Sequence, residues 1–412
     1  MSSPSEHTRG RSSAPTDLIP AGDPQEIAAD LSAVFGRLHG CAPTHVFRAP
    51  GRVNLVGEHV DYNGGWCLPI ALPHATYAAV RVRADQRLTV TSLQREEPFS
   101  GRLDDLAPDK LSGWHAYAAG TVWALAECVG DVRGMDLVVD GRVPVGAGLA
   151  SSAAMECAVA LAACAAAGIE VDDQRRLQLV EVCMRAEEEA AGAPTGGMDQ
   201  AICLFGRESH ALLLDCRSGE RRQVRWSIPG VDLLVVDTGV QHALSDGGYA
   251  ARRADCVEAA GQLGVRLLRD VADTDQALHA LESDRLRRRA RHVFGENGRV
   301  AAAVRAIASS DITGLGRIFS ESHGSLRDDY EVSSPELDLA VDTAIAAGAY
   351  GARMTGGGFG GSAIVLVDQA VRPQVQHAVT QAFAGMGLSP PRFLLARPSA
   401  GAHQVSADPS AA

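Results

Sequence analysis

Four stretches of this sequence combine residue types that can do chemistry. The first, Arg48–Pro69, reads RAPGRVNLVGEHVDYNGGWCLP and crowds Arg52, Asn54, Glu58, His59, Asp61, Tyr62 and Asn63 into one short span. Carboxylates and an imidazole this close can offer donors and acceptors at fixed geometry to several hydroxyls, as a sugar requires. A solvated turn would use the same composition, and both readings stand at this point.

The second, Pro144–Ala154, reads PVGAGLASSAA. A strand-like run, Met135–Val139, precedes it, and a buried Ala-rich helix over Ser152–Ala167 is predicted after it. Glycines at 146 and 148 let a loop fold tightly and bring its backbone close to a ligand. The unpaired N–H groups and positive end of the following helix suit phosphate. Ser151 and Ser152 could cap that helix, or bind phosphate or magnesium. A plain glycine turn with a serine cap fits the same residues.

The third is a pair of carboxylates. The helix predicted over Arg175–Ala191 carries Leu177, Val180, Cys183 and Met184 on one face, and Glu187 falls on the same stripe. A carboxylate on a core-facing stripe needs a partner, because an unpaired buried charge is costly. A metal or an arginine would serve. Gly192 ends the helix, and Asp199 follows Gly196–Gly197 just before the apolar run Ala201–Phe205. Asp199 could be a reactive carboxylate or a helix cap. The fourth stretch is glycine-rich: Met354–Gly361 reads MTGGGFGG. It fits either a tight hairpin or the close approach of something bulky. Tyr249, in QHALSDGGYAARRADC, stands at a predicted helix start, where its ring could line a pocket or simply pack.

These groups need a scaffold, and the chain is long enough for one. At 412 residues and 46% hydrophobic, it predicts two compact domains. Strand-like runs at Tyr77–Val82, Leu88–Ser92, Met135–Val139, Leu233–Asp237 and Ser362–Val367 mix with helical ones. The helical runs are Glu26–Leu38, Ala116–Val129, Ser152–Ala167, Arg175–Ala191, Ala250–Leu263 and Ser334–Ala347. This mixture predicts an α/β (α+β) protein. The polar stretch Arg217–Ser227 predicts the domain boundary: a first domain over 23–220, a second over 221–398, and disordered tails at 1–22 and 399–412.

Composition narrows the partners. A net charge of −12 repels nucleic-acid phosphates and anionic membranes, so neither is expected. Lys110 is the single lysine, so the phosphate-binding loop that ends in lysine and the protein-kinase strand lysine are both missing. Any handling of ATP must rest on backbone amides, a metal and arginine. The nine cysteines show no C-x-x-C pair and sit mostly among Ala, Val and Leu. They read as buried hydrophobes in a reducing compartment, not as a zinc or disulfide framework. With no signal peptide and no apolar run of about 18 residues, a cytoplasmic location is expected.

Taken together, the motifs resemble those of galactokinases in the GHMP small-molecule kinase superfamily, over most of the chain from Ile27 to Leu395. The matching segments are GRVNLVGEHVDYNGG, PVGAGLASSAAMEC and MTGGGFGGSAIVLV. They are joined by RAEEEAAGAPTGGMDQ, VQHALSDGGYAARRADC, RRRARHVFGENGRV and SHGSLRDDYEVSSPELD. The resemblance implies a two-domain GHMP kinase fold with its active site in the interdomain cleft. It implies transfer of a phosphoryl group from Mg-ATP to the anomeric hydroxyl of galactose by a monomer.

By the same resemblance Asp199 is the base and Arg52 its neighbour, favouring ionised Asp199 and stabilising the transition state. Glu58, His59, Asp61, Gly196 and Tyr249 bind the sugar. Gly146, Ala147, Gly148, Leu149, Ala150, Ser151 and Ser152 cradle ATP, and Ser152 and Glu187 hold Mg²⁺. Four departures bear on fine specificity: Ala150 stands where the family has serine, Thr195 where it has cysteine, Gly197 where it has a bulkier apolar residue, and the helix reads AEEEAAG where an aromatic commonly precedes the final small residues. Two other readings compete: a galactose and ATP sensor without turnover, and a GHMP kinase for N-acetylgalactosamine or arabinose. The full-length serine loop and the presence of Asp199 argue against a sensor.

Overall fold

The computed structural model describes residues 17–130, 132–226, 228–241 and 247–405. The chain opens with helix α1 (Pro24–His39) and strand β1 (His45–Asn54). Strands β2 (Trp66–Cys67), β3 (Pro69–Val82), β4 (Arg87–Ser92) and β5 (Phe99–Arg102) follow. Next come α2 (Gly113–Val129), β6 (Met135–Gly141), α3 (Ser151–Ala167), α4 (Asp173–Arg185) and α5 (Met198–Phe205). Then β7 (His210–Asp215), β8 (Arg221–Arg225) and β9 (Val231–Gln241) lead to α6 (Gly248–Gln262), α7 (Thr274–Ala280), α8 (Asp284–Ala308), α9 (Ile312–Asp328) and α10 (Pro335–Ala346). The chain closes with β10 (Gly351–Thr355), β11 (Gly360–Asp368), α11 (Arg372–Gly385), β12 (Arg392–Ala396) and β13 (His403–Gln404). The mixed α/β class predicted from sequence is what the chain adopts.

A six-stranded sheet runs β13-β1-β3-β6-β4-β5 and a four-stranded sheet runs β10-β11-β9-β12. Alternating side chains give the larger sheet two apolar faces. Val46, Tyr77 and Val138 meet Ile27, Leu31 and Phe35 of α1 on one face. On the other, Phe47, Ala78, Leu137 and Val139 meet the small residues of α2, α3 and α4. The Ala-rich composition of α3 has a packing reason: it is buried all round, and alanines let it lie close to the sheet and its neighbours. A third core joins the two halves, with Leu55, Val56, Leu68 and Ile70 packed among Val300, Phe319, Ile364 and Leu366.

Three expectations change. The polar stretch at 217–227 is no linker. Residues 217–225 supply the turn of the β7–β8 hairpin and strand β8 itself, with Ala211 paired to Val224, and Ser227 lies outside the described residues. The tail boundaries move outward: Leu18 bridges Phe393, and β13 pairs with β1 beyond the expected end at 398. Residues 1–16 and 406–412 lie outside the described residues. The buried face of α4 is Leu179, Val182 and Cys183, whereas Leu177 is 39% exposed. A π-helical turn, Ala186–Ala190, continues α4, with Ala191 N–H donating to the Ala186 carbonyl at 3.1 Å. That turn re-aims the residues it contains, and Glu187 is buried on it.

Six of the cysteines are buried, Cys128 is exposed and none forms a disulfide. Among the described residues no helix is long and apolar enough to cross a membrane.

Candidate active site

The site begins at an irregularity in β1. Pairing with β3 slips between Pro50 and Arg52, a bulge that re-aims the side chain after it. Gly51 occupies the slip because a Cβ there would lie 2.7 Å from the Leu149 carbonyl. Arg52 N–H donates to that same carbonyl at 3.0 Å. The bulge therefore docks the 146–152 loop on β1 and turns the Arg52 guanidinium toward α5. There Nε and Nη2 donate to Oδ1 and Oδ2 of Asp199 at 2.8 and 2.7 Å, and Nη1 donates to the Gly148 carbonyl at 2.6 Å. Asp199 sits in the first turn of α5 with Gly197 as the N-cap. It is not a helix cap; its carboxylate is committed to Arg52.

The 146–152 loop is anchored by side chains and presents backbone. Ala147 and Leu149 are buried in the core shared by the two halves. Gly146, Gly148 and Ala150 all take left-handed conformations. Ala150 is the N-cap of α3 and offers no side-chain cap. Ser151 lies half-buried in the first turn. Ser152 does not cap the helix either: its hydroxyl donates to Glu187 Oε1 at 2.7 Å. The glycine-rich segment 354–361 forms the β10–β11 hairpin, and what approaches it is this loop. A Cβ on Gly356 would come within 2.7 Å of the Gly148 carbonyl, and Ser362 Oγ donates to the Ala147 carbonyl at 2.7 Å.

Glu187 is held on both oxygens, because Gln200 Nε2 donates to its Oε2 at 2.6 Å. Burial pushes the Glu187 carboxyl up to about 7, with a further push from nearby Asp199. Gln200 Nε2 also reaches Glu156 Oε2 at 3.2 Å. Glu156 is fully buried, its Oε1 has no partner, and burial together with Glu187 drives its carboxyl well up. Hard oxygen donors whose charged form is held back by burial suit a divalent cation such as Mg²⁺, which would stabilise that charged form. Among the described residues no group of three His, Cys, Asp or Glu is arranged to hold a metal. Ser152 and Glu187 would supply two ligands, leaving the others to phosphate and water.

The loop after β1 supplies the opposite wall. Asp61 opens a short 3₁₀ turn, Asp61–Asn63, and faces Gly196 so closely that any Cβ at 196 would strike its carboxylate. Burial, and then Asp199, push the Asp61 carboxyl up to about 6. His59 takes a left-handed backbone, φ 60°, unusual for a residue with a side chain. Its ring is fixed at both nitrogens. Nε2 lies 3.1 Å from the Gly357 carbonyl, which can only accept, so Nε2 carries the hydrogen. Nδ1 then accepts from the Tyr62 hydroxyl at 2.9 Å, and Tyr62 in turn receives the Tyr330 hydroxyl at 2.8 Å. Burial drives His59 down to about 3, so the imidazole is neutral. Tyr249, in the first turn of α6, stacks its ring centroid 5.4 Å from those of His59 and Tyr62. Residues 242–246 lie outside the described residues.

Glu58 is placed beneath this wall. It accepts from Asn54 Nδ2, Thr355 Oγ1 and Gly356 N–H, at 3.1, 3.0 and 2.8 Å. The side chains of Glu58 and His59 are thus each committed to two or more protein partners, whereas the Asp61 carboxylate has the backbone N–H of Tyr62. Beneath Glu58 lies fully buried Arg353, 3.6 Å from Glu58 Oε1 and 3.9 Å from Glu296 Oε1. Tyr330, Arg353, Glu296, Gln200 and Glu156 escaped the sequence reading. Glu156 and Arg353 had a faint signal, a lone charged residue among apolar or small ones, whereas Tyr330, Glu296 and Gln200 stand beside other polar residues.

The arrangement joins a carboxylate–guanidinium pair, a backbone loop at a helix start and a hydroxyl–carboxylate pair. A family model for the galactokinase galactose-binding signature matches residues 33–82. Models for the N-terminal and C-terminal domains of GHMP kinases match 116–207 and 303–385. The chain is 46% identical to a galactokinase of Streptomyces coelicolor, over 92% of this chain and 99% of that one. It is 42% identical to one of Mycobacterium tuberculosis, over 84% and 95%. The structure of Lactococcus lactis galactokinase complexed with galactose superposes with a TM-score of 0.87 at 30% identity, covering 92% of this chain and all of that one. A mevalonate kinase structure, at 15% identity and a TM-score of 0.63, shares the fold.

Proposed function

The chain belongs to the galactokinase family of GHMP kinases, an ATP-dependent sugar kinase family, and from that premise we propose how its residues divide the work. Asp199 takes the proton of the anomeric hydroxyl of galactose as that oxygen attacks the γ-phosphorus of ATP, and the bond from phosphorus to the β–γ bridging oxygen breaks, giving galactose 1-phosphate and ADP. The observation that carries this reading is the two-pronged Arg52–Asp199 pair, whose third arm reaches the Gly148 carbonyl. It sets the base beside the loop whose amides would receive the triphosphate.

Phosphoryl transfer asks for positioning and charge neutralisation more than covalent chemistry. Arg52 favours ionised Asp199 and offers positive charge to the phosphoryl group in flight. A carboxylate is a weak base, which suffices if the proton moves late, when the attacking oxygen has become acidic. Asp61, Gly196 and Tyr249 orient the sugar. Glu58 and His59 support them from beneath, since their side chains already have protein partners. Backbone amides over 146–152 hold the phosphates. Mg²⁺, when held by Ser152 and Glu187, would neutralise phosphate charge. The proposal extends to a single chain in the cytoplasm, a reducing compartment that the nine free thiols suit.

The test is ADP release with Mg-ATP and galactose, glucose, 2-deoxygalactose, N-acetylgalactosamine, arabinose or mevalonate, for wild type and Asp199→Ala. Galactose turnover that disappears in Asp199→Ala is expected. Full turnover in Asp199→Ala would overturn the base assignment, and turnover with another member of the panel alone would overturn the substrate.

A further inference from the structure

We infer that Gln200 is a positioning residue that aims the Glu187 carboxylate at the cation site, an inference that rests on the metal reading of Ser152 and Glu187. Gln200 is fully buried at the chain position after Asp199. Its two amide hydrogens go to two carboxylates from different helices: Glu187 Oε2 at 2.6 Å and Glu156 Oε2 at 3.2 Å. Its own oxygen lies 3.4 Å from the Thr195 hydroxyl, which donates to it. The orientation of the amide follows from this environment. Reversed, its oxygen would face two carboxylates and its NH₂ a lone hydroxyl, with both carboxylates stripped of a donor.

Glu187 has two protein donors, Ser152 on Oε1 and Gln200 on Oε2. Only one of them can survive cation binding. A cation shared by Ser152 Oγ and Glu187 replaces the hydrogen bond between them, so the Gln200 amide alone continues to fix the carboxylate. Gln200 is also one peptide from the residue clasped by Arg52 and touches Thr195, whose neighbour Gly196 abuts Asp61. One glutamine therefore ties the cation carboxylate to the sugar wall. Glu156 stands behind it, its fully buried Oε1 unpartnered. Groups that orient a metal-ligating carboxylate typically account for about 10–100-fold in metal affinity.

The experiment titrates Mn²⁺ into the enzyme–ADP complex and follows free Mn²⁺ by electron paramagnetic resonance, for wild type, Glu187→Gln and Gln200→Met. Gln200→Met keeps the volume and removes the amide. It should weaken Mn²⁺ about 10–100-fold, raise the Mg²⁺ concentration needed for half-maximal rate in parallel, and leave the KM for galactose within about twofold of wild type. Should Gln200→Met not fold, Gln200→Asn, which keeps the amide but falls short of Glu187, gives the same readout. Weakened Mn²⁺ in Glu187→Gln with wild-type affinity in the Gln200 variant would overturn this inference alone. Unchanged affinity in Glu187→Gln would overturn the metal reading itself.

Discussion

Arg52 and Asp199 stand 147 positions apart in the chain, yet Nε and Nη2 of one meet both oxygens of the other at 2.8 and 2.7 Å. This fork fixes the carboxylate in plane and orientation as well as in charge, which a point charge cannot do. Arg52→Lys keeps the charge and loses the fork. Its kcat should fall about 100-fold, the typical loss when a reacting group is misplaced by about 1 Å. Steady-state kinetics with Mg-ATP and galactose checks this, and a kcat within threefold of wild type would show the fork to be dispensable.

Gly196 lacks the room for any side chain because Asp61 fills the space. In Gly196→Ala, Asp61 must move away from the sugar wall. Overpacking of this kind costs about 1–3 kcal/mol, which corresponds to roughly 5–150-fold in the KM for galactose. The KM for ATP should change little. Equal increases in both constants would mean that the glycine serves the whole fold and not the sugar side.

Asp61 makes stability depend on pH in a definite direction. Its folded-state carboxyl is pushed from the ordinary 3.8 up to about 6. Between those values the folded protein holds a proton that the unfolded chain has released, so stability declines as pH rises across that window. The deficit persists above it. Asp61→Asn removes the deficit while weakening galactose binding. Its Tm should exceed that of wild type at pH 8, with the gap closing as pH is lowered from about 6 towards 4. A gap of the same size at pH 8 and pH 4.5 would contradict the assignment.

Arg353 is fully buried and donates to the carbonyls of Asn54 and Leu55, both at 3.0 Å, with Glu58 and Glu296 close by. Removing one partner from a buried ionic cluster leaves charge uncompensated and costs about 3–5 kcal/mol. Arg353→Met should lose that much stability in urea denaturation. A loss under about 1 kcal/mol would place the cluster's compensation elsewhere, with Arg299 beside Glu296 the first candidate.

Much of this protein was legible in the chain itself, because local rules govern much of it. Glycine and serine spacing announced the 146–152 loop, and a crowded run of polar residues announced Glu58, His59 and Asp61. Helices and strands with a clear apolar period fell where their side chains required. The tertiary structure decided what no local rule reaches. It chose Arg52 over a helix cap for Asp199, and gave Ser152 to Glu187 and not to its own helix. It engaged the Glu58 and His59 side chains with several protein partners and set Asp61 against Gly196. It also made 217–225 the turn and second strand of a hairpin, turned the helix end at 186–190 into a π turn, and brought Gln200 between two buried carboxylates. Each of those outcomes depends on a partner far away in sequence. The free energy of a buried charge or hydrogen bond is set by the atoms that surround it in three dimensions, and a residue's neighbours along the chain do not specify them.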